Sequence, residues 1–109
     1  MKLVMAIIND EDVFHIMDVL NESDFVVTKL ASTGGFLRSG NTTLICGTDD
    51  DRVQELIDII ESKCKSRKQI TSISPTHAAA TEGYVPYPVE VTIGGATIFV
   101  LTIDDFRKV

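Results

Sequence analysis

Ten consecutive residues, Thr33-Gly34-Gly35-Phe36-Leu37-Arg38-Ser39-Gly40-Asn41-Thr42, carry the chemistry this sequence is best equipped for. Their three glycines exceed what reversing a chain requires. Glycine reaches positive φ and lets a ligand approach the backbone, so that successive amides can converge on phosphate oxygens. Arg38 supplies the segment's one fixed positive charge. Asn41 can donate and accept together, the combination that reads an adenine edge. Phe36 and Leu37 are apolar on an otherwise polar turn, which calls for a partner or a base to pack against. The segment is not a Walker A loop, because no Gly-Lys-Ser/Thr follows, and it lacks GxGxxG. Two readings stay open at this point: a cradle for an anionic nucleotide, and a glycine-rich hairpin whose Phe36 packs into an oligomer interface.

Other chemistry is sparse. His15 falls on an expected helix and His77 in a proline-flanked loop, neither beside a nucleophile in any motif, so the chain reads as non-catalytic. Asp49-Asp50-Asp51 could be imagined around magnesium, but it opens an amphipathic helix, where acids cap and complement the dipole. Cys46 and Cys64 have no CxxC spacing and no clustering with histidine, so they read as buried thiols rather than zinc ligands. No metal and no bound cofactor are expected.

At 109 residues the chain reads as one domain, residues 1–109, with one core. A net charge of −6 argues against nucleic-acid binding, which needs a basic stripe. No apolar run approaches the roughly 18 residues of a membrane span, and the start lacks signal-peptide features, so a cytoplasmic protein is expected. With 44% hydrophobic residues and a mean hydropathy of +0.16, the chain is apolar for its size, which hints at oligomerisation.

The elements that must position the segment are legible from periodicity. Lys2 to Asn9 is an apolar run with a polar stop, a first strand. Asp10 to Glu22 follows as a helix, with Val13, Ile16, Met17 and Leu20 at helical spacing. Phe25 to Thr33 and Asn41 to Gly47 read as antiparallel neighbours joined through the glycines. Val53, Leu56, Ile57, Ile60 and Cys64 mark a second helix, with Lys63 to Lys68 suited to its C-terminal end. Ile70 to Ser74 reads as a short strand, Pro75 to Pro88 as a long loop, and Tyr84 to Pro88 as an extended segment able to contact a partner. Val89 to Ile93 and Ala96 to Ile103 read as a hairpin turning on Gly94-Gly95, and Asp104 to Val109 as a tail. The order gives an α+β, ferredoxin-like (βαβ-βαβ) sandwich: an antiparallel sheet with both helices on one face. Val26, Leu30, Leu44, Cys46, Val89, Val91, Ile98 and Val100 exceed what one helical layer covers, so oligomerisation is expected to cover the other face.

Several stretches together carry a resemblance: Thr28 to Thr43, Cys46-Gly47, Asp50-Asp51-Arg52-Val53, Tyr84 to Val91 and Gly94-Gly95-Ala96-Thr97. Over essentially the whole chain, the sequence resembles the cyclic di-AMP receptors of the PII-like signal-transduction family. The resemblance implies a homotrimer of ferredoxin-like subunits with one cyclic di-AMP in each of three inter-subunit clefts. It implies that Gly35, Phe36, Leu37 and Gly47 line the pocket, that Thr28 and Asn41 bond base or phosphate, and that Phe99 adds apolar wall. Arg38 is a further site residue. Some relatives place an arginine where this chain has Val26 and a glutamine where it has Lys108, so these two positions complete the site list.

Ordinary PII proteins, sensing ATP and 2-oxoglutarate, carry a long loop between strands two and three. Here that connection is short and the one spanning Ser66 to Pro86 is long. Three functions stand side by side: a cyclic di-AMP sensor signalling to an unidentified protein target, an ordinary PII regulator, and a structural or metal-tolerance trimer without nucleotide binding.

Overall fold

The structure, a computed structural model, describes residues 1–30, 40–73 and 87–109. Its main sheet is antiparallel and four-stranded, in the order β2-β3-β1-β6, from β1 (Lys2–Asn9), β2 (Thr28–Leu30), β3 (Asn41–Thr48) and β6 (Ala96–Thr102). Helices α1 (Val13–Glu22) and α2 (Val53–Lys63) each follow a strand through a three-residue 3-10 turn. The architecture is consistent with the expected ferredoxin-like sandwich, but its fourth strand is β6 and not the strand expected at Ile70 to Ser74 after α2.

Alternation along β1 sets the layers. Val4, Ala6 and Ile8 are buried, whereas Leu3, Met5 and Ile7 are partly exposed. The buried set meets Leu44 and Cys46 from β3 and the stripes Val13, Ile16 and Leu20 of α1 and Leu56, Ile60 and Cys64 of α2. Both helices therefore cover one sheet face. Burying a side chain such as Ile16 or Leu56 contributes about 1.5–3 kcal/mol. Phe25, expected to start the second strand, is instead buried in the helical layer. Arg52 lies over its ring at 4.0 Å and donates to the Ser23 carbonyl at 2.8 Å, tying the end of α1 to the start of α2.

The acidic helix starts differ from one another. Asn9 caps the first turn, its Oδ1 accepting from the Glu11 amide at 2.9 Å. Asp49 makes no side-chain cap bond, and Asp50 instead pairs with the N-terminal amine at 2.8 Å. The ammonium lowers the Asp50 carboxyl below its ordinary value, first by hydrogen bonding.

The end of the chain departs from expectation. Val89 to Ile93 does not form a hairpin with the last strand. β5 (Tyr87–Ile93) pairs antiparallel with β4 (Arg67–Ile73) in a separate two-stranded ribbon, while β6 pairs with β1. Gly94 and Gly95, at φ +79° and +88°, carry the chain from ribbon to sheet rather than around a two-residue turn. The Gly95 amide bonds the Cys64 carbonyl, where ribbon and helix α2 meet. The strand expected at Ile70 begins earlier, at Arg67, and the expected loop ends at Tyr87 because Tyr87 and Pro88 already pair with Ile73 and Ser72. A ladder partner, invisible to local propensity, decides both boundaries.

Candidate functional site

The sheet face turned away from the helices gathers four of the residues singled out from sequence. Register places Thr28 opposite Ile45, Ile45 opposite Met5, and Met5 opposite Phe99, one row across all four strands. Row partners share a face. Lys29 fixes the face of β2, because its ammonium lies over the Phe14 ring of α1 at 5.7 Å and its neighbours Thr28 and Leu30 turn the other way. Along β3, Asn41, Thr43, Ile45 and Gly47 alternate onto that same face, opposite Asn9, Ile7, Met5 and Leu3. Thr28, Asn41, Gly47 and Phe99, drawn from three strands, thus lie on one surface, with Asn41 roughly 14 Å along the strand from Ile45.

The surface is apolar with polar points. Met5, Ile7 and Ile45 are partly exposed, and Leu30, Phe99 and Leu101 are exposed at 37%, 42% and 47%. Gly47 is extended, and a Cβ built there would meet none of the described residues within 4 Å. The open space above its backbone is what a closely approaching ligand or chain requires. At the Asn41 end, Ile7, Asn41, Thr97, Ser66 and the Gly94-Gly95 backbone line an open groove of about 370 Å³. A larger groove of about 760 Å³ runs past Asp58, Glu61, Lys65 and Ile98 toward the helical side. It contains none of the predicted ligand-site residues, and size alone does not make it the site.

Asn41 is held by a residue that the sequence identified only as a first-turn acid. The Asp10 amide donates to the Gly40 carbonyl at 2.8 Å, and the Thr42 hydroxyl donates to the Asp10 carboxylate. Asp10 thereby fixes both neighbours of Asn41, with Gly40 at φ +95° making the bend. No local pattern links positions 10 and 42. A polar acid just before a helix, opposite the loop end in an antiparallel register, was the available signal.

Gly35, Phe36, Leu37 and Arg38 lie outside the described residues, as do His77 and the segment Tyr84 to Pro86. Val26 precedes β2 and is 81% exposed, and Lys108 is exposed beyond β6. His15 is exposed on α1 near Asp12 and Arg67, away from the sheet face. Among the described residues, no three His, Cys, Asp or Glu side chains gather as a metal site, and no helix is long and apolar enough to cross a membrane. Both cysteines are buried in the core, and burial raises both thiols, Cys64 to about 11.

A family model described as "Cyclic-di-AMP receptor" matches residues 1–109. A similar solved structure is that of a functionally unknown protein from Pediococcus pentosaceus, 37% identical, with a TM-score of 0.77 over 99% of this chain and 96% of that one.

Proposed function

Since the chain belongs to the cyclic-di-AMP receptor family, we propose that it is a non-catalytic cytoplasmic sensor that holds the messenger on the sheet face turned away from the helices, in clefts between the subunits of a homotrimer. One observation carries this reading: Thr28, Asn41, Gly47 and Phe99, up to 71 residues apart in sequence, share that apolar face. A face of this kind is costly to leave in water, and a second subunit covers it while leaving room for a ligand at its polar edge.

The residues divide the work by chemistry. Asn41 offers donor and acceptor to an adenine edge, and the Thr28 hydroxyl bonds base or phosphate. Gly47 lets the ligand reach the strand backbone, and Phe99 offers a ring for contact. Gly35, Phe36 and Leu37 close the pocket from the glycine-rich segment, with Arg38, Val26 and Lys108 at its margin. Ligand binding then repositions one or both of two connections, that between β2 and β3 and that within Ser66 to Pro86, and alters contact with a protein target.

Titration calorimetry with cyclic di-AMP, cyclic di-GMP and ATP, with light scattering for mass, tests the reading. Heat with cyclic di-AMP alone and a mass of three chains are expected. No heat with cyclic di-AMP, or preference for ATP together with 2-oxoglutarate, overturns it.

A further inference from the structure

Thr43 breaks the pattern of its own strand. By register it stands between Leu30 of β2 and Ile7 of β1, on the face turned from the helices, yet it is only 3% exposed. Its Oγ1 is buried and has no hydrogen-bond partner among the described residues. A buried hydroxyl without a partner is costly, and native proteins leave few of them. A valine of the same shape would serve the strand better if packing were the whole role. The position is also specific. Thr43 is two residues from Asn41 and two from Ile45, whose partner across the ladder is Thr28, so the hydroxyl lies between the two polar side chains assigned to the ligand.

We infer that Thr43 Oγ1 is itself a ligand contact, completing with Asn41 and Thr28 a polar row that hydrogen-bonds a cyclic dinucleotide. The inference rests on the function proposed above and adds a residue to which the family resemblance gives no role. A threonine hydroxyl both donates and accepts, so it meets a ring nitrogen, an exocyclic amine or a phosphate oxygen equally well. In the free subunit this hydroxyl is out of reach, so the bond forms as its neighbour Leu30 or Ile7 gives way, and binding then recovers a bond the free protein lacks.

Calorimetry with cyclic di-AMP on the full chain, comparing wild type with Thr43→Val and Thr43→Ser, provides the test, with thermal melts of each in the absence and presence of ligand. Thr43→Val is expected to lose roughly tenfold in affinity and to melt no lower than wild type without ligand. Thr43→Ser, which keeps the hydroxyl, is expected to stay within roughly threefold of wild type. Thr43→Ala gives the same loss if the valine variant does not fold. Wild-type binding with equal affinity for Thr43→Val overturns this inference alone. A lower melting temperature with affinity retained also overturns it, since that marks a structural role. Absence of wild-type binding removes the proposed function and the inference with it.

Discussion

Arg67 grips the Asp12 carboxylate with both ends of its guanidinium, Nη2 to Oδ1 at 2.9 Å and Nη1 to Oδ2 at 3.4 Å. Asp12 closes the turn before α1 and is buried, while Arg67 is the first residue of the ribbon strand β4. The pair therefore latches the ribbon's base to the helical layer, across 55 residues of sequence. Replacing Arg67 by alanine leaves a buried carboxylate unpaired, the costly half of any such deletion. Hydrogen exchange is expected to quicken along Arg67–Ile73 and Tyr87–Ile93 while the β1–β3 amides keep their protection. Uniform protection in the variant would show that the latch does not hold the ribbon.

Gly94 belongs to the same joint. A Cβ at this position would lie 2.5 Å from Arg67 Nη1 and 2.9 Å from the Lys65 carbonyl, at a φ of +79°. The guanidinium can shift, but the carbonyl belongs to the backbone and cannot easily give way. Gly94→Ala should destabilise the protein by about 1–3 kcal/mol, the usual cost of a side chain in the left-handed region, measured by urea denaturation. A midpoint unchanged from wild type would refute the account of this turn.

The joint also shows where sequence reading stops. The strands and helices of the main sheet were legible because each carries its own period: Val4, Ala6 and Ile8 alternate, and Val13, Ile16 and Leu20 return every turn. Gly94-Gly95 carries a strong local signal too, for a hairpin, and here local chemistry misleads. The two glycines do take positive φ, but β1 presents an unpaired edge to Ala96–Thr102 and β4 presents one to Tyr87–Ile93, so the strands separate. Pairing partners are chosen between elements, and neither glycine encodes that choice. The candidate site divides in the same way. Asn41 was legible as an amide beside glycines, whereas the bonds from Asp10 that hold it, and the buried Thr43 hydroxyl beside it, arise only from register.

Cys64 gives a check on the core. Burial raises its thiol from 9.0 to about 11, the nearby Asp12 carboxylate adding to the effect and Arg67 opposing it. The folded chain therefore keeps a proton that the unfolded chain releases above pH 9. This contribution to stability is full below pH 9 and is lost as pH rises through the interval to about 11. Urea midpoints at pH 8 and pH 10.5 should fall for wild type and fall less for Cys64→Ala. In the native state at pH 7.5, iodoacetamide should leave Cys64 unmodified. Rapid alkylation there would place the thiol outside the core.

Asp10 acts on the site at one remove. Asp10→Ala removes the carboxylate that accepts from Thr42 and keeps the backbone amide that holds Gly40, so it loosens one side of the entry to β3 without touching Asn41. Asn41→Ala, in contrast, deletes a group that bonds the ligand directly and should cost about 1–3 kcal/mol of binding. Calorimetry should show a smaller loss for Asp10→Ala than for Asn41→Ala, with the mass of the assembly unchanged in both. Affinity retained in Asn41→Ala would remove that residue from the site.

Gly47 separates ligand from fold most cleanly. Its backbone is extended and the space above it is empty of described residues to 4 Å, so none of them requires a glycine there. A glycine within a strand is less stable than alanine by about 0.5–1 kcal/mol, through the freedom it loses on folding. Gly47→Ala should therefore raise the urea midpoint slightly in the absence of ligand. If cyclic di-AMP or a neighbouring subunit rests against this backbone, the added methyl occupies the space it uses. Light scattering distinguishes the two: unchanged mass with weakened cyclic di-AMP binding assigns the space to the ligand, and a fall in mass assigns it to the second subunit. A more stable variant that assembles and binds as wild type would leave Gly47 with no part in either.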